Sequence, residues 1–134
     1  MSKLDPKPAP NRQHLRLYGH TLCPFVERVR LVLAEVPYQD VQINLEKRAK
    51  WHYYLNQGFV PILETPADNP LYGKHFIIFE SRHIMDFLDR HLKLNLYGDA
   101  FNTVQQHAIM NHFDEVARVL YLVIMSHAED GPFL

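Results

Sequence analysis

The one cysteine among the 134 residues stands where a thiol can react. Cys23 lies in the run Thr21-Leu22-Cys23-Pro24-Phe25, directly ahead of a proline. Proline suits the first turn of a helix, where its missing N–H costs nothing, so a helix is expected to open at Pro24. A thiol at that point faces unpaired backbone N–H groups and the positive end of the helix dipole. Both favour the thiolate, the nucleophilic form. Arg28 and Arg30 add positive charge, with side chains expected to turn to solvent, and His20 is close enough in sequence to tune the thiol. Position 26 is valine, which closes any dithiol cycle within the chain. Redox chemistry must then run through a mixed disulfide with an external thiol, and a small thiol such as glutathione meets that need.

Two further pairs suit such a partner. Val60-Pro61 precedes a strand-like run, a place where a cis proline turns backbone N–H and C=O groups outward. An extended peptide can pair with that edge as an added strand. Glu80-Ser81 stands where a strand feeds a helix, so Ser81 can offer hydroxyl and N–H to a carboxylate while Glu80 takes an ammonium group.

The elements that must position these residues follow from pattern. Residues 1–14, with Pro6, Pro8 and Pro10, read as a flexible leader. Leu15 to Gly19 alternates as a strand. The helix from Pro24 carries Phe25, Val29, Val32 and Leu33 as its apolar stripe and is expected to stop at Pro37. Val41, Ile43 and Leu45 alternate as a second strand, and Glu46 to Gln57 is polar helix or loop. Val60 to Glu64 is a third strand and Ala67 to Lys74 has turn chemistry. Phe76 to Phe79 is a fourth strand too apolar to be half-exposed, set as a hairpin with the third. Ser81 caps a helix with Ile84, Phe87, Leu88 and Leu92 inside. A long helix is expected from Asn102-Thr103 to about His127, broken by Asp130-Gly131-Pro132. The fold class is α/β: a βαβ-ββα domain with a four-stranded mixed sheet over residues 15–97, then one long helix over 98–134.

Composition excludes several functions. Lys plus Arg is 14 against Asp plus Glu 15, a net charge of -1, which gives no footprint for nucleic acid or an anionic membrane. Hydrophobic residues reach 47%, enough for a core, yet no apolar run has the length of a membrane span. A lone cysteine rules out an internal disulfide framework and fits a reducing compartment. Cytosol is the expected location, with an organellar address left open. The nine histidines show no ligand spacing, since His107 and His112 do not share a helix face, and no metal is expected.

Taken together, Cys23-Pro24-Phe25 with Glu27-Arg28 and Arg30 to Leu33, Asn44-Leu45 with Trp51, Val60 to Glu64, and Glu80-Ser81 resemble the glutathione transferase superfamily. The similarity is to its omega class and the related dehydroascorbate reductases, over residues 15 to about 97. The resemblance implies a thioredoxin-like domain that binds glutathione as co-substrate. It implies that Cys23 forms the mixed disulfide and that Phe25 packs beside the thiol. Val60, ahead of a cis Pro61, would pair with the cysteinyl main chain, with Leu45 also at the glutathione site. Glu80 and Ser81 would hold the γ-glutamyl end. Arg48 stands where the family has a lysine for the glycyl carboxylate, and an arginine can grip a carboxylate in two places.

Members of the superfamily continue into an all-helical second domain, so this chain reads as holding only that domain's first helix. From Val116 to Met125 that helix is apolar on nearly every side, which calls for a partner: a second copy or another protein, met through residues 104–125. The implied activity is thiol transfer or dehydroascorbate reduction on a small disulfide or electrophilic substrate. Residues 80–89 also resemble the stringent starvation protein branch, which implies a non-catalytic subunit of a larger assembly. The Cys-Pro-Phe start is shared with chloride intracellular channel proteins, a reading with no apolar amino-terminal segment behind it.

Overall fold

The computed structural model describes residues 6–129 and, within them, every side chain but those at 125 and 127–129. In chain order come β1 (Leu15–Gly19), α1 (Pro24–Val32), β2 (Tyr38–Gln42), α2 (Lys50–Asn56), β3 (Ile62–Glu64), a 3-10 turn (Pro70–Tyr72), β4 (Ile77–Phe79), α3 (Ser81–Leu92) and α4 (Ala100–Glu129). The strands form one mixed sheet in the order β2-β1-β3-β4. β1 runs parallel to β2, while β3 is antiparallel to both β1 and β4. This is the βαβ-ββα order expected from the sequence pattern and the thioredoxin-like architecture that the resemblance implies, followed by a long helix. The chain divides into two compact units after Lys93.

The pleat sends alternate residues to opposite faces. Tyr18 and Ile62 face α2, where they gather Ile43, Leu45, Trp51 and Leu55 into one core. Leu15, Leu17 and Leu63 point the other way and are fully buried. That second face receives α1, and its closest approach is at Gly19. A Cβ on Gly19 would lie 2.4 Å from Cγ1 of Val26, so only glycine lets helix and strand meet there. Val26 and Val29 are the buried positions of α1 and Leu33 is its buried cap. Val26 therefore replaces Phe25 and Val32 in the expected stripe.

Three expectations about elements are corrected. β2 covers Tyr38–Gln42 rather than Val41 to Leu45. Ile43 makes one more bond, N–H to Gly19 O at 2.8 Å. Asn44 Oδ1 then takes the N–H groups of Glu46 and Lys47 and turns the chain. The polar residues ahead of Val41 are strand because β2 is an edge and Gln39 and Asp40 accept from Arg16 and Arg30. α1 stops at Val32, capped by Leu33, well before Pro37. β4 is half-buried along its length rather than enclosed, because it too is an edge strand.

The fourth helix begins at Ala100, ahead of the expected start. Asp99 supplies the cap: its carboxylate accepts the N–H of Asn102 at 2.8 Å and its carbonyl that of Thr103 at 2.9 Å. The break expected at Asp130-Gly131-Pro132 lies outside the described residues. Within α4, Val104, Ile109, Val116, Val119 and Leu122 are exposed. Among the described residues no helix is long and apolar enough to cross a membrane.

At the end of β3 away from Pro61 lies a buried charge that the sequence pattern does not announce. The Glu64 side chain is fully buried. Its Oε1 is 2.5 Å from Lys7 Nζ and 2.8 Å from His75 Nε2; its Oε2 accepts from the Tyr18 hydroxyl at 2.7 Å. Arg16 Nη1 stands 3.6 Å away. Burial would raise the carboxyl's pKa, but these donors outweigh it and hold the group below its ordinary range. Burial and the Glu64 bond together push the Tyr18 phenol up to about 12. The cluster also holds the chain ahead of β1. Arg16 Nη1 donates to Ala9 O, and the N–H groups of Ala67 and Asp68 donate to Asn11 O and Arg12 O. Residues 7–13 are thus bonded along the domain, although they form no regular element.

A carboxylate whose folded pKa is depressed adds stability that is present above its unfolded value and lost as pH falls through the folded one. Urea unfolding should therefore show stability falling as pH drops below the ordinary value of 4.5. In Glu64→Gln the protein should be on the order of 3 kcal/mol less stable at neutral pH, since three donors lose a buried anion. That variant should also show a flatter acid limb. An unchanged acid limb in Glu64→Gln would contradict this role.

Candidate functional site

The sheet register decides which loops meet. Tyr18 pairs with Ile62, and Ile62 with Phe79; Gly19 pairs with Gln42 on the other side. Because β3 runs against its neighbours, the residues after β1, after β2 and after β4 leave the sheet at the same end at which the chain enters β3. Cys23, the 43–48 segment, Val60-Pro61 and Glu80-Ser81 all lie beyond that end. Loops at the carboxyl ends of strands are the common place for a ligand in open α/β sheets.

Cys23 is the residue before α1, with extended backbone (φ -89°, ψ 115°), and Pro24 holds the first helical position. Its N–H donates to His20 O at 3.1 Å, and its carbonyl accepts from Val26 and Glu27, each at 3.1 Å. The side chain is almost wholly buried. Here the sequence expectation of a favoured thiolate is corrected. Burial pushes the thiol above its ordinary value, and this outweighs the N–H groups of Val26 and Phe25 and the charges of Arg30 and Arg28, which pull it down. Those N–H groups face the sulfur without closing a capping bond.

His20 is engaged with the turn: its Nδ1 accepts the N–H of Leu22 at 3.1 Å, and burial, then Arg30, lower its pKa.

The two arginines do not turn to solvent. Arg30 reaches Asp40 at 3.2 Å and Glu27 at 3.5 Å, tying α1 to β2. Arg28 gives two N–H bonds to Ser81 Oγ, from Nε at 2.9 Å and Nη2 at 2.5 Å. Its guanidinium also lies 5.2 Å from the centre of the Phe25 ring. Sequence reasoning missed Arg28 as a site residue; its one signal was its place in the turn that follows the cysteine.

Val60-Pro61 is a cis peptide bond, as the resemblance implies. Pro61 is buried and Val60 half-buried. The preceding carbonyl, Phe59 O, is held by His52 Nε2 at 2.8 Å and Asn56 Nδ2 at 3.1 Å. His52 is fully buried, and burial lowers its pKa, so its Nε2–H donates from a neutral ring. The Leu45 side chain belongs to the core under α2, which leaves only its main chain for a ligand. Arg48 is half-buried and packs over Gly58; its Nε is buried with no hydrogen-bond partner among the described residues. Such a charged donor suits an anionic group.

Glu80 is exposed and holds φ 66°, ψ 120°, a backbone state that costs about 1–3 kcal/mol outside glycine and that clusters at ligand sites. Its carbonyl begins α3 by accepting from Ile84 N–H at 2.9 Å. Ser81 is the first helical residue and not the expected cap, a position that Glu80 holds without a side-chain bond, and Ser81 is 3% exposed. Among the described residues no cluster of three or more His, Cys, Asp and Glu could hold a metal ion. A concavity lined by His83, Asp86, Phe87, Arg90 and His91 belongs to the flank of α3 and holds none of the residues above.

Comparison with known proteins bears on the same stretch. Residues 17–95 match the family model of the glutathione S-transferase N-terminal domain. Pyrimidodiazepine synthase of Drosophila melanogaster is 35% identical over 122 residues, which covers 87% of this chain and 49% of that protein. Glutathione S-transferase omega-1 of Mus musculus is 27% identical across 96% of this chain and 53% of that protein. The chain thus spans about half the length of these curated relatives. Among solved structures, glutathione transferase Omega 3C of Trametes versicolor superposes with a TM-score of 0.61 at 24% identity, over 78% of this chain and 45% of that one. A trimeric glutathione transferase of Leishmania gives 0.57 at 30% identity, over 68% and 21%. With a family model spanning most of the first unit and relatives that agree with it, the chain belongs to the glutathione transferase superfamily and is omega-like.

Proposed function

We propose that the chain binds glutathione and acts as an omega-like thiol transferase or dehydroascorbate reductase through Cys23. The observation that supports this best is the common strand end shared by the sole thiol, the cis Val60-Pro61 edge and Glu80-Ser81. Glutathione is a tripeptide with two carboxylates and one ammonium group, and the chain offers a partner for each. Arg48, with its buried unpartnered Nε, takes the glycyl carboxylate. The Val60 main chain pairs with the cysteinyl unit, and the main chain at Leu45 borders it. Ser81 takes the γ-glutamyl carboxylate and Glu80 the ammonium group. Phe25 shields the thiol from water.

The chemistry is two exchanges. The Cys23 thiolate attacks the glutathionyl sulfur of a mixed disulfide; the new S–S bond forms as the old one breaks, and the substrate thiolate leaves and takes a proton. A second glutathione thiolate then attacks the glutathionyl sulfur, giving glutathione disulfide and freeing Cys23. The expected compartment is a reducing one, the cytosol. A second reading, a transferase-fold subunit of an assembly, is favoured by the exposed apolar residues of α4, which suit a second copy or another protein.

Two outcomes are expected. With glutathione and hydroxyethyl disulfide, Cys23→Ser should fall to the rate without protein while its circular dichroism matches wild type; equal activity in the two would sink the reading. The free thiol should also be slow at neutral pH. Burial holds its pKa above the ordinary value, so the thiol form dominates at neutral pH. Alkylation of Cys23 by iodoacetamide should therefore rise about tenfold per pH unit from pH 6 to 8, and a plateau in that range would contradict the burial described.

A further inference from the structure

We propose that Arg28 is a positioning residue of the glutathione site, one that commits the Ser81 hydroxyl to donate to the ligand's γ-glutamyl carboxylate. This rests on the glutathione reading above and adds a residue to it. A serine hydroxyl has one donor hydrogen and two acceptor lone pairs. Arg28 supplies two N–H groups to that one oxygen, from Nε at 2.9 Å and Nη2 at 2.5 Å. Both lone pairs are then engaged, and the hydroxyl hydrogen can serve only as a donor to something else. The charged partner polarises the O–H bond, which strengthens what it donates.

One ring contact and the packing of the helices support that pose. The Phe25 ring lies under it at 5.2 Å, a cation–π arrangement that restrains the plane. Arg28 also sits on α1, which packs on α3, so it reaches Ser81 at the start of α3 across that helix pair. Ser81 itself is 3% exposed and opens α3, a twelve-residue helix. The backbone N–H groups of that first turn and the Arg28 charge thus favour an anion at one place. Lysine would keep the charge but not the two-pronged bond from one planar group.

The test compares Arg28→Lys and Arg28→Gln with wild type in glutathione titrations of the disulfide-reduction assay. Both variants should raise the glutathione KM about tenfold, the scale of a lost charge-assisted bond, with kcat changed less than about twofold. In a Ser81→Ala background, Arg28→Lys should add less than about twofold, because the hydroxyl it acts through is gone. With a glutathione analogue lacking the γ-glutamyl α-carboxylate, wild type and Arg28→Lys should have the same KM. An unchanged KM in both variants, independent effects in the Ser81→Ala background, or a difference that persists with the analogue would each overturn the proposal while leaving the glutathione reading in place. Loss of the native fold in both variants, read by circular dichroism, would make Arg28 purely structural and overturn it as well. A wild-type protein that no glutathione concentration saturates would overturn the glutathione reading and this proposal together.

Discussion

The hydrogen-bonded row that joins Tyr18 to Ile62 and Ile62 to Phe79, with Gly19 beside Gln42, is the constraint on which the rest depends. A parallel β1–β2 pair and two antiparallel pairings through β3 mean that four chain segments leave one sheet end together. None of these segments is near another in sequence. A slip of one residue in β3 would turn Leu63 out of the core and Glu64 out of its cluster, and would move Val60 away from the turn that carries Cys23. The buried residues on both faces, Tyr18 and Ile62 on one and Leu17 and Leu63 on the other, are what hold the register.

Burial acts on two ionisable groups in opposite ways. Glu64 is enclosed but has Lys7, Tyr18 and His75 within bonding distance, so enclosure is outweighed and the carboxylate persists. Cys23 is enclosed with helix N–H groups that face it but do not bond it, and enclosure wins. The difference lies in the number and closeness of donors. It follows that the enclosed thiol ionises less readily than an exposed one.

Much of this was legible in the residues. Strand and helix types followed from period, and Pro24, Pro61 and Ser81 marked the right boundaries, because each acts through its own backbone chemistry. The errors share a cause. Edge strands follow no clean apolar rule, so the residue pattern sets β2 too late and β4 too deep. The extent of α1 was set by the capping geometry of Leu33 rather than by Pro37. Side-chain partners were the least legible. Arg28 reaching Ser81, Arg30 reaching Asp40 and Lys7 reaching Glu64 all span ten or more positions of sequence, and only the sheet order brings them together. The same holds for the Cys23 environment, since enclosure is a property of the packed domain and not of the Leu-Cys-Pro run.

The central claim, that Cys23 and the Val60 edge together receive glutathione, is tested most directly by a crystal structure of the protein after reaction with glutathione disulfide. The expected result is one S–S bond from Cys23 Sγ to the glutathionyl sulfur, the cysteinyl main chain paired with Val60, and the glycyl carboxylate on Arg48. A tripeptide bonded to Cys23 but lying away from Val60 and Arg48, or Cys23 left unmodified in the folded protein, would contradict it.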